Sequence, residues 1–384
     1  MINADIHNKT VFVISYCFPT EANPQSGIFV FDQCRLLKRE GVNIVVLNVA
    51  NTAGFSMPKI KKWGEIDVVE CAICFIGHSF LPRITTKIYQ YFFRKLFKVA
   101  VSKFGKPEVI YAHFSFPTGF VAKALAMKYN ISYVVMEHSS MFNGKHIPKY
   151  VRKNIPALVN QSRAFMCVSN SLKASLSRIA PRLTDKIDVV YNAIDSYFCY
   201  IPKQKKTGFV LFSAGNLMPI KQYDVLIHAI SVLSMRGIEV SLRIAGEGLE
   251  RDNLIFLIKR LQLEKNITLL GRLNKEDILH ELSTCDAFVL ASRSETFGVA
   301  FREAMFVGRP VISFDNGGIR EGWNNDYGVI VPTQDAESLA QAIEQMKIHY
   351  RKFNLEEISK KSHEMFDEKK IVERLIFLLF KHVK

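Results

Sequence analysis

The feature that most constrains this chain is an alternation that runs from end to end. Short runs rich in Val, Ile and Phe, of strand length, are separated by segments of helical period. The first series places strands over 11–16, 43–49, 107–114, 131–138, 164–169 and 186–192. Between them fall helices over IFVFDQCRLLKREG, ending at Gly41, over 83–104 and over TGFVAKALAMKYN. A second series places strands over 208–216, 240–248, 267–271, 287–292, 310–314 and 328–332, with helices over 224–237, 252–262, 275–285 and 335–347. Continuous β-branched strands joined by amphipathic helices imply a parallel sheet covered on both faces.

Two series need two sheets, and 384 residues exceed what one core usually serves. The break between them is IPKQKKTG, residues 201–208, polar with Pro and Lys, and the linker is placed there. The expected domains are 1–200 and 201–365, each Rossmann-like, facing across a cleft. A terminal helix, 366–384, is apolar on one face (KKIVERLIFLLFKHVK).

Hydrophobic residues make up 48% and charged residues 23%, so a long disordered segment is not expected. The balance of 51 basic against 36 acidic side chains, +15, favours polyanions: nucleic acid, anionic lipid or phosphorylated substrates. The first residues lack the basic and apolar regions of a secretory signal, and no run of 18 apolar residues occurs. Seven scattered cysteines suit a reducing cytoplasm better than a disulfide framework. Cys71 and Cys74 form a lone CxxC without the second pair a zinc site needs, so ordinary thiols are expected there.

In open parallel sheets ligands bind beyond the C-terminal strand ends, and the unusual residues of this chain stand there. Gly215-Asn216 closes one strand and Lys221 follows, a point charge suited to phosphate or simply a surface lysine. IAGEGLERDNL has a GxG after a strand but Arg251 where a dinucleotide fingerprint needs its third glycine, so a tight turn is the better reading. SRSETFGVAFREAMFVG carries Glu295 in a loop and Glu303 on the helix that ends at Gly308. If both were helical, the eight-residue spacing would leave them roughly 80° apart. The N–H groups of Thr296, Phe297, Gly298 and Val299 would open that helix and accept an anion. Carboxylates beside an anion site suit vicinal sugar hydroxyls: one for a ribose, one for a hexose. A capping acid and a surface acid are the alternative. His113 and His138 each end a strand; His113 is read as structural, and His138 is open between structure and chemistry.

These residues carry a resemblance. SRSETFGVAFREAM resembles the E-x7-E signature of retaining, family-4 glycosyltransferases with the GT-B fold. Gly215, Leu217 and Lys221 match the family's Gly-x-Leu…Lys. IAGEG, LLGRL (269–273), GRPVIS, NGGIRE (316–321) and VVYNAIDSYF (189–198) fall in the family's order. The likeness is strong over roughly 165–345 and weaker before, where SGIFVFDQ, IYAHFSFPTG and VVMEHSS stand at strand ends. Its wording is similar to bacterial capsule and exopolysaccharide enzymes. The resemblance implies an N-terminal acceptor-binding domain, a C-terminal nucleotide-sugar-binding domain and a last helix crossing back onto the first.

By the same resemblance Glu303 would hold the ribose and Glu295 the donor sugar. Backbone at Phe297, Gly298 and Val299 would hold diphosphate and sugar, and Lys221 the diphosphate. Gly215 and Asn216 would border the nucleotide, and Arg272 and Leu273 would meet the base. Gly27 would approach the diphosphate, and His138 the reacting bond. Asn216 stands where many members carry Arg, which leaves Arg293 or Arg320 to compensate. The implied reaction is front-face transfer of a hexose from a UDP- or GDP-sugar to a glycan or lipid-linked hydroxyl. It needs no metal and no cofactor beyond the donor substrate.

PRITTKIYQYFFRKLFKVAVSKFGK, residues 82–106, mixes Arg and Lys with Tyr and Phe and has no acid. It suits an anionic membrane surface and a peripheral place on the inner membrane face; a crossover helix with core aromatics is the alternative. A nucleotide-sugar epimerase or a phosphorylase of the same fold, or a basic nucleic-acid-binding protein, are the rival functions. No nucleic-acid motif accompanies the charge, so nucleic acid is not expected as a partner. Motifs do not name the base, sugar, acceptor or linkage.

Overall fold

The computed structural model describes residues 6–381 apart from 8, 22, 53, 75–80, 145 and 205–207. It divides into two compact units, 1–193 with 368–384, and 194–367.

In the first unit β1 (Thr10–Ser15), α1 (Ile28–Arg39) and β2 (Asn43–Asn51) open the chain. Next come β3 (Lys59–Trp63), β4 (Ile66–Ile73), α2 (Pro82–Phe104) and β5 (Val109–His113). Then follow α3 (Phe120–Tyr129), β6 (Ser132–Glu137), α4 (Lys149–Gln161), β7 (Ala164–Cys167), α5 (Asn170–Ser177) and β8 (Ile187–Val189). The strands form one sheet in the order β3-β4-β2-β1-β5-β6-β7-β8. All pairs are parallel except β3 with β4. Central strands such as β5 are buried at every position, which is why they read as continuous apolar runs.

The hairpin of β3 and β4 was not expected from sequence. β3 is KIKKW, an edge strand whose Lys61 pairs with Glu70 at 2.8 Å, so it lacks the apolar run of its neighbours. Cys71 is buried in β4 and Cys74 is exposed beyond it. Helix α4 was also missed, because Pro156 inside it reads as a break. Helix α5 starts on a Ser169 side chain that accepts from Leu172 N–H at 3.1 Å.

Helix α2 divides the aromatics of 82–106 between core and surface. Tyr89, Phe93 and Phe97 are fully buried, Phe97 stacked on Tyr129 at 4.6 Å. Arg83, Lys87, Arg94 and Lys98 face water. Half of its aromatics therefore belong to the core, where burying each contributes about 2 kcal/mol or more. Exposed apolar side chains remain at Leu81, Ile84 and Tyr91, and at Phe55 and Met57, with Phe55 edge-on to Phe92 at 5.9 Å.

The second unit runs β9 (Val210–Ala214), α6 (Tyr223–Met235), β10 (Ser241–Ala245), α7 (Arg251–Arg260), β11 (Ile267–Gly271) and α8 (Lys275–Thr284). It continues with β12 (Ala287–Leu290), α9 (Val299–Phe306), β13 (Val311–Phe314), β14 (Gly328–Val331), α10 (Ala336–His349) and α11 (Leu355–Met365). The sheet is parallel throughout, ordered β11-β10-β9-β12-β13-β14. Asn274, Asp335 and Asn354 cap α8, α10 and α11 through their side-chain oxygens. Helix α11 escaped the sequence reading because two of its three buried positions are Ser359 and Ser362.

The units part at 193/194, ahead of the polar break at 201–208, of which 205–207 lie outside the described residues. The reason is local anchoring. Fully buried Arg309 donates to Ile201 O at 2.8 Å and to Leu282 O at 2.6 Å, and Lys203 pairs with Asp286. Phe198 is 1% exposed, so the stretch before the break already belongs to the second unit. Helix α12 (Glu368–Phe380) belongs to the first unit, with Ile371, Val372, Leu375, Leu378 and Leu379 buried and Leu379 O accepting from Arg163 at 2.9 Å. The end of the expected helix, 382–384, lies outside the described residues. No described helix is long and apolar enough to cross a membrane.

Candidate functional site

In the second unit the chain fills β9, β10 and β11 in one direction and β12, β13 and β14 in the other. The order therefore reverses between β9 and β12, the place where such sheets bind ligands. Lys221 lies in the loop after β9 and Glu295 in the loop after β12. Lys221 Nζ donates to Glu295 Oε1 at 2.5 Å, both side chains half-buried.

The backbone ties these loops together. Arg293 N–H donates to Ile220 O at 2.9 Å, Glu295 N–H to Asn316 O at 3.0 Å, and Gly318 N–H to Glu295 O at 3.1 Å. On the other side Gly215 N–H donates to Ala245 O at 3.0 Å and Gly246 N–H to Gly271 O at 2.7 Å. Leu217 N–H meets Glu247 O at 3.0 Å, so the GxG of residues 246–248 packs one loop against another. Gly215, Arg272, Lys221, Glu295 and Glu303 thus stand at or beyond the C-terminal strand ends of one sheet. Asn216 and Arg272 are exposed and Leu273 is half-buried.

Helix α9 opens at Gly298, whose φ is 77°. A Cβ there would sit 1.8 Å from the Phe301 ring, so only glycine fits. No side chain caps α9 and its first turn holds no acid, which leaves N–H groups and the positive end of the helix dipole for an anion. The turn begins at Val299, later than the sequence suggested: Thr296 and Phe297 precede the helix, and the Phe297 ring is buried edge-on to Phe366 at 5.4 Å. Glu295 is outside the helix, so the helical angle between the two glutamates does not apply. Glu303 is half-buried on α9. Of the two arginines suggested to compensate for Asn216, Arg320 is held bidentately by Asp315 at 3.0 and 2.7 Å. That pair holds the Asp315 carboxyl below its usual range. Arg293 is exposed on the Glu295 loop.

In the first unit the order reverses between β1 and β5. Gly27, at φ 62°, caps α1, and a Cβ on it would lie 2.1 Å from Cys17 O. His113 ends β5 and His138 follows β6, and His113 Nδ1 lies 3.0 Å from His138 Nε2. The Phe29 ring covers His138 at a centroid distance of 4.6 Å. Burial pushes His138 down to about 3 and His113 well below the ordinary range, so both imidazoles are neutral at pH 7. Glu137 is fully buried and accepts from the N–H groups of Ser115, His138 and Ser139 at 2.8, 2.9 and 2.7 Å. Burial raises its carboxyl, and these hydrogen bonds oppose the shift.

The Glycosyltransferase Family 4 description matches residues 26–197 and the Glycosyl transferases group 1 description matches residues 201–362. The chain belongs to the family-4 glycosyltransferases of GT-B fold. It is 27% identical over 244 residues to an uncharacterised glycosyltransferase of Methanocaldococcus jannaschii, covering 62% of this chain and 64% of that protein. The chain spans a little under two thirds of the length of the first curated relatives it matches. Its fold matches sucrose-phosphate synthase of Thermosynechococcus elongatus with a TM-score of 0.81 at 17% identity, over 97% of this chain and 98% of that one. It also matches HepE of Anabaena, crystallised with UDP and glucose, with a TM-score of 0.72 at 18% identity, over 96% and 98%.

Two residues of this glycosyltransferase escaped the sequence reading. Glu137 ties the loops after β5 and β6 together. Arg302, fully buried on α9, donates to Gly318 O at 2.8 Å and lies over the Phe366 ring at 4.8 Å, pinning the loop after β13 to α9. The signal for Glu137 was a single charge in an otherwise apolar strand, which needs internal partners to be tolerated; Arg302 was masked by Glu303 beside it on α9.

Proposed function

We propose that this glycosyltransferase moves a hexose from a UDP- or GDP-sugar, with retention, to a hydroxyl of a glycan or lipid-linked acceptor in cell-surface polysaccharide assembly. The supporting observation is the Lys221–Glu295 pair at the strand reversal beside the uncapped start of α9. The second unit then takes the donor. Glu303 holds the ribose hydroxyls, and Arg272 and Leu273 border the base. Lys221 and backbone at Phe297, Gly298 and Val299 hold the diphosphate and sugar, with Gly215 and Asn216 alongside. Glu295 turns to the sugar hydroxyls when Lys221 turns to phosphate. The first unit takes the acceptor, with Gly27 and His138 as its candidate contacts.

The bond from the anomeric carbon to the diphosphate breaks and the acceptor oxygen bonds on the same face. The acceptor proton passes to the departing diphosphate oxygen. Charge developing on that diphosphate is met by Lys221 and by the dipoles of α9, which are preorganised before the reaction. The step invokes no metal and no protein nucleophile, and turnover is expected to persist in chelator. Work on a cytoplasmic membrane face is favoured by the exposed Leu81, Ile84 and Tyr91 among the bases of α2.

The test is calorimetric binding of UDP, GDP, ADP and CMP without metal, to wild type and Glu303→Ala. HepE holds UDP, so UDP heads the panel. One diphosphate binding, with affinity lost about tenfold or more in the variant, supports the reading. Binding of none overturns it. Anomeric configuration of the product by NMR decides retention.

A further inference from the structure

Arg302 is fully buried on α9, among the apolar side chains of Phe301, Ala304 and Met305. Taking a guanidinium out of water is costly unless its N–H groups and its charge find partners. An apolar side chain would fill the place without that cost. What the guanidinium adds is a set of directional donors.

Those donors go to one loop. Arg302 Nη2 donates to Gly318 O at 2.8 Å and to Ile319 O at 3.3 Å, both on the loop after β13. The guanidinium carbon lies 4.8 Å from the centre of the Phe366 ring and 5.6 Å from that of Phe297. Phe297 stands on the loop after β12, the loop that carries Glu295. One side chain thus fastens both loops to α9.

Glu295 sits in the seam between these loops. Its N–H donates to Asn316 O at 3.0 Å, and its carbonyl accepts from Gly318 N–H at 3.1 Å. Both anchors lead back to Arg302. Gly318 offers its carbonyl to Arg302 and its N–H to Glu295. Asn316 Oδ1 accepts from the N–H of Ile319, whose carbonyl also meets Arg302. The approach at Gly318 is one that only glycine permits: a Cβ there would lie 2.9 Å from Glu295 Cβ and 3.0 Å from Phe297 N. A shift of Gly318 therefore moves Glu295, and with it the carboxylate that Lys221 meets at 2.5 Å.

We propose that Arg302 is a positioning residue that sets the place of Glu295 through Gly318, Asn316 and Ile319. Being buried, it touches no substrate itself. Its part in donor binding rests on the donor site proposed above; the mechanical link to Glu295 does not. Loss of Arg302 is felt where Glu295 acts, at the sugar of the donor, more than at the diphosphate held by Lys221 and the start of α9.

Two measurements test this on Arg302→Met, which fills similar space without donors, and Arg302→Lys, which keeps a charged donor. Hydrogen exchange by mass spectrometry reads the link. In Arg302→Met, exchange in peptides covering Glu295 and Gly318 should rise about tenfold or more with β9 and β12 unchanged, and Arg302→Lys should restore part of the protection. Calorimetry reads the role, with UDP, GDP, UDP-glucose, UDP-galactose, UDP-N-acetylglucosamine and GDP-mannose. For the donor that wild type binds, Arg302→Met should lower sugar-nucleotide affinity about tenfold and diphosphate affinity less than about threefold. Glu295→Ala should do the same, and the double variant should lose no more than either single one. Unchanged exchange at Glu295 in a folded Arg302→Met overturns the proposal. So do equal losses of diphosphate and sugar nucleotide, or additive losses in the double variant. If Arg302→Met does not fold, Gly318→Ala breaks the link from its other side and is read by the same two measurements. Binding of neither diphosphate to wild type overturns the donor reading, while exchange still decides whether Arg302 holds Glu295.

Discussion

Lys221 and Glu295, 74 residues apart, meet at 2.5 Å where the strand order of the second sheet reverses. In the proposed function, an ammonium already held by a carboxylate is preorganised for phosphate, and the carboxylate would be released as the phosphate arrives. Lys221→Ala should therefore lower kcat about 10²–10³-fold, the size of one lost charge donor in a preorganised site. Because the pair is partly solvated, the melting midpoint should move little, by less than about 1 kcal/mol in stability. A large loss of stability with unchanged kcat would show the pair to be structural.

Gly298 makes a sharper structural prediction. Gly298→Ala forces a side chain into left-handed backbone and against the Phe301 ring. A stability loss of about 1–3 kcal/mol is expected in urea titration. Diphosphate affinity should fall with it, because the first turn of α9 must move. Binding unchanged in a destabilised variant would separate the turn from the anion site.

Acid sensitivity follows from the buried histidines. Burial lowers His113 and His138 from the ordinary value of about 6.5, His138 to about 3. Between those values the unfolded chain binds protons that the folded chain does not. Stability is thus complete above about pH 6.5 and declines as pH falls. Glu137, raised by burial, has the opposite sign just above the ordinary carboxyl range and offsets part of one imidazole. Between pH 6.5 and 5.5 wild type should lose about 1–2 kcal/mol more than the His113→Asn/His138→Asn double variant. Equal losses in both would refute the assignment.

The surface around α2 predicts vesicle binding. Protein should sediment with vesicles rich in phosphatidylglycerol and remain in solution with pure phosphatidylcholine. Tyr91→Ser with Ile84→Ser should weaken that binding about tenfold, since two exposed apolar side chains each contribute about 1 kcal/mol. Equal binding to neutral and anionic vesicles would exclude the charge-based reading.

Legibility differed by element. Strands β1, β5, β9 and β12 were plain because each is buried on both faces and therefore largely apolar. β3 was hidden because an antiparallel edge strand pairs through backbone and tolerates lysines on its sides. For α2 a surface and a core placement both stayed open, because composition does not say which side of a helix the aromatics take; packing on β2 and β4 put Tyr89, Phe93 and Phe97 inward. Most site residues were legible because they follow strands. Arg302 and Glu137 were not, since their partners are backbone atoms on other loops.

From sequence alone came the parallel α/β class, the two series of elements, the helix ends at Gly and Asn, and the loops that carry Lys221, Glu295 and His138. These are local properties: periodicity, capping and burial leave their mark on consecutive residues. Strand neighbours are not local. That β9 lies beside β12, and β5 beside β6, is settled by burial of whole faces and by the hand of the crossovers. Only that choice brings Lys221 to Glu295 and His113 to His138. A hydrogen bond across 74 or 25 residues leaves no pattern in the chain between its partners.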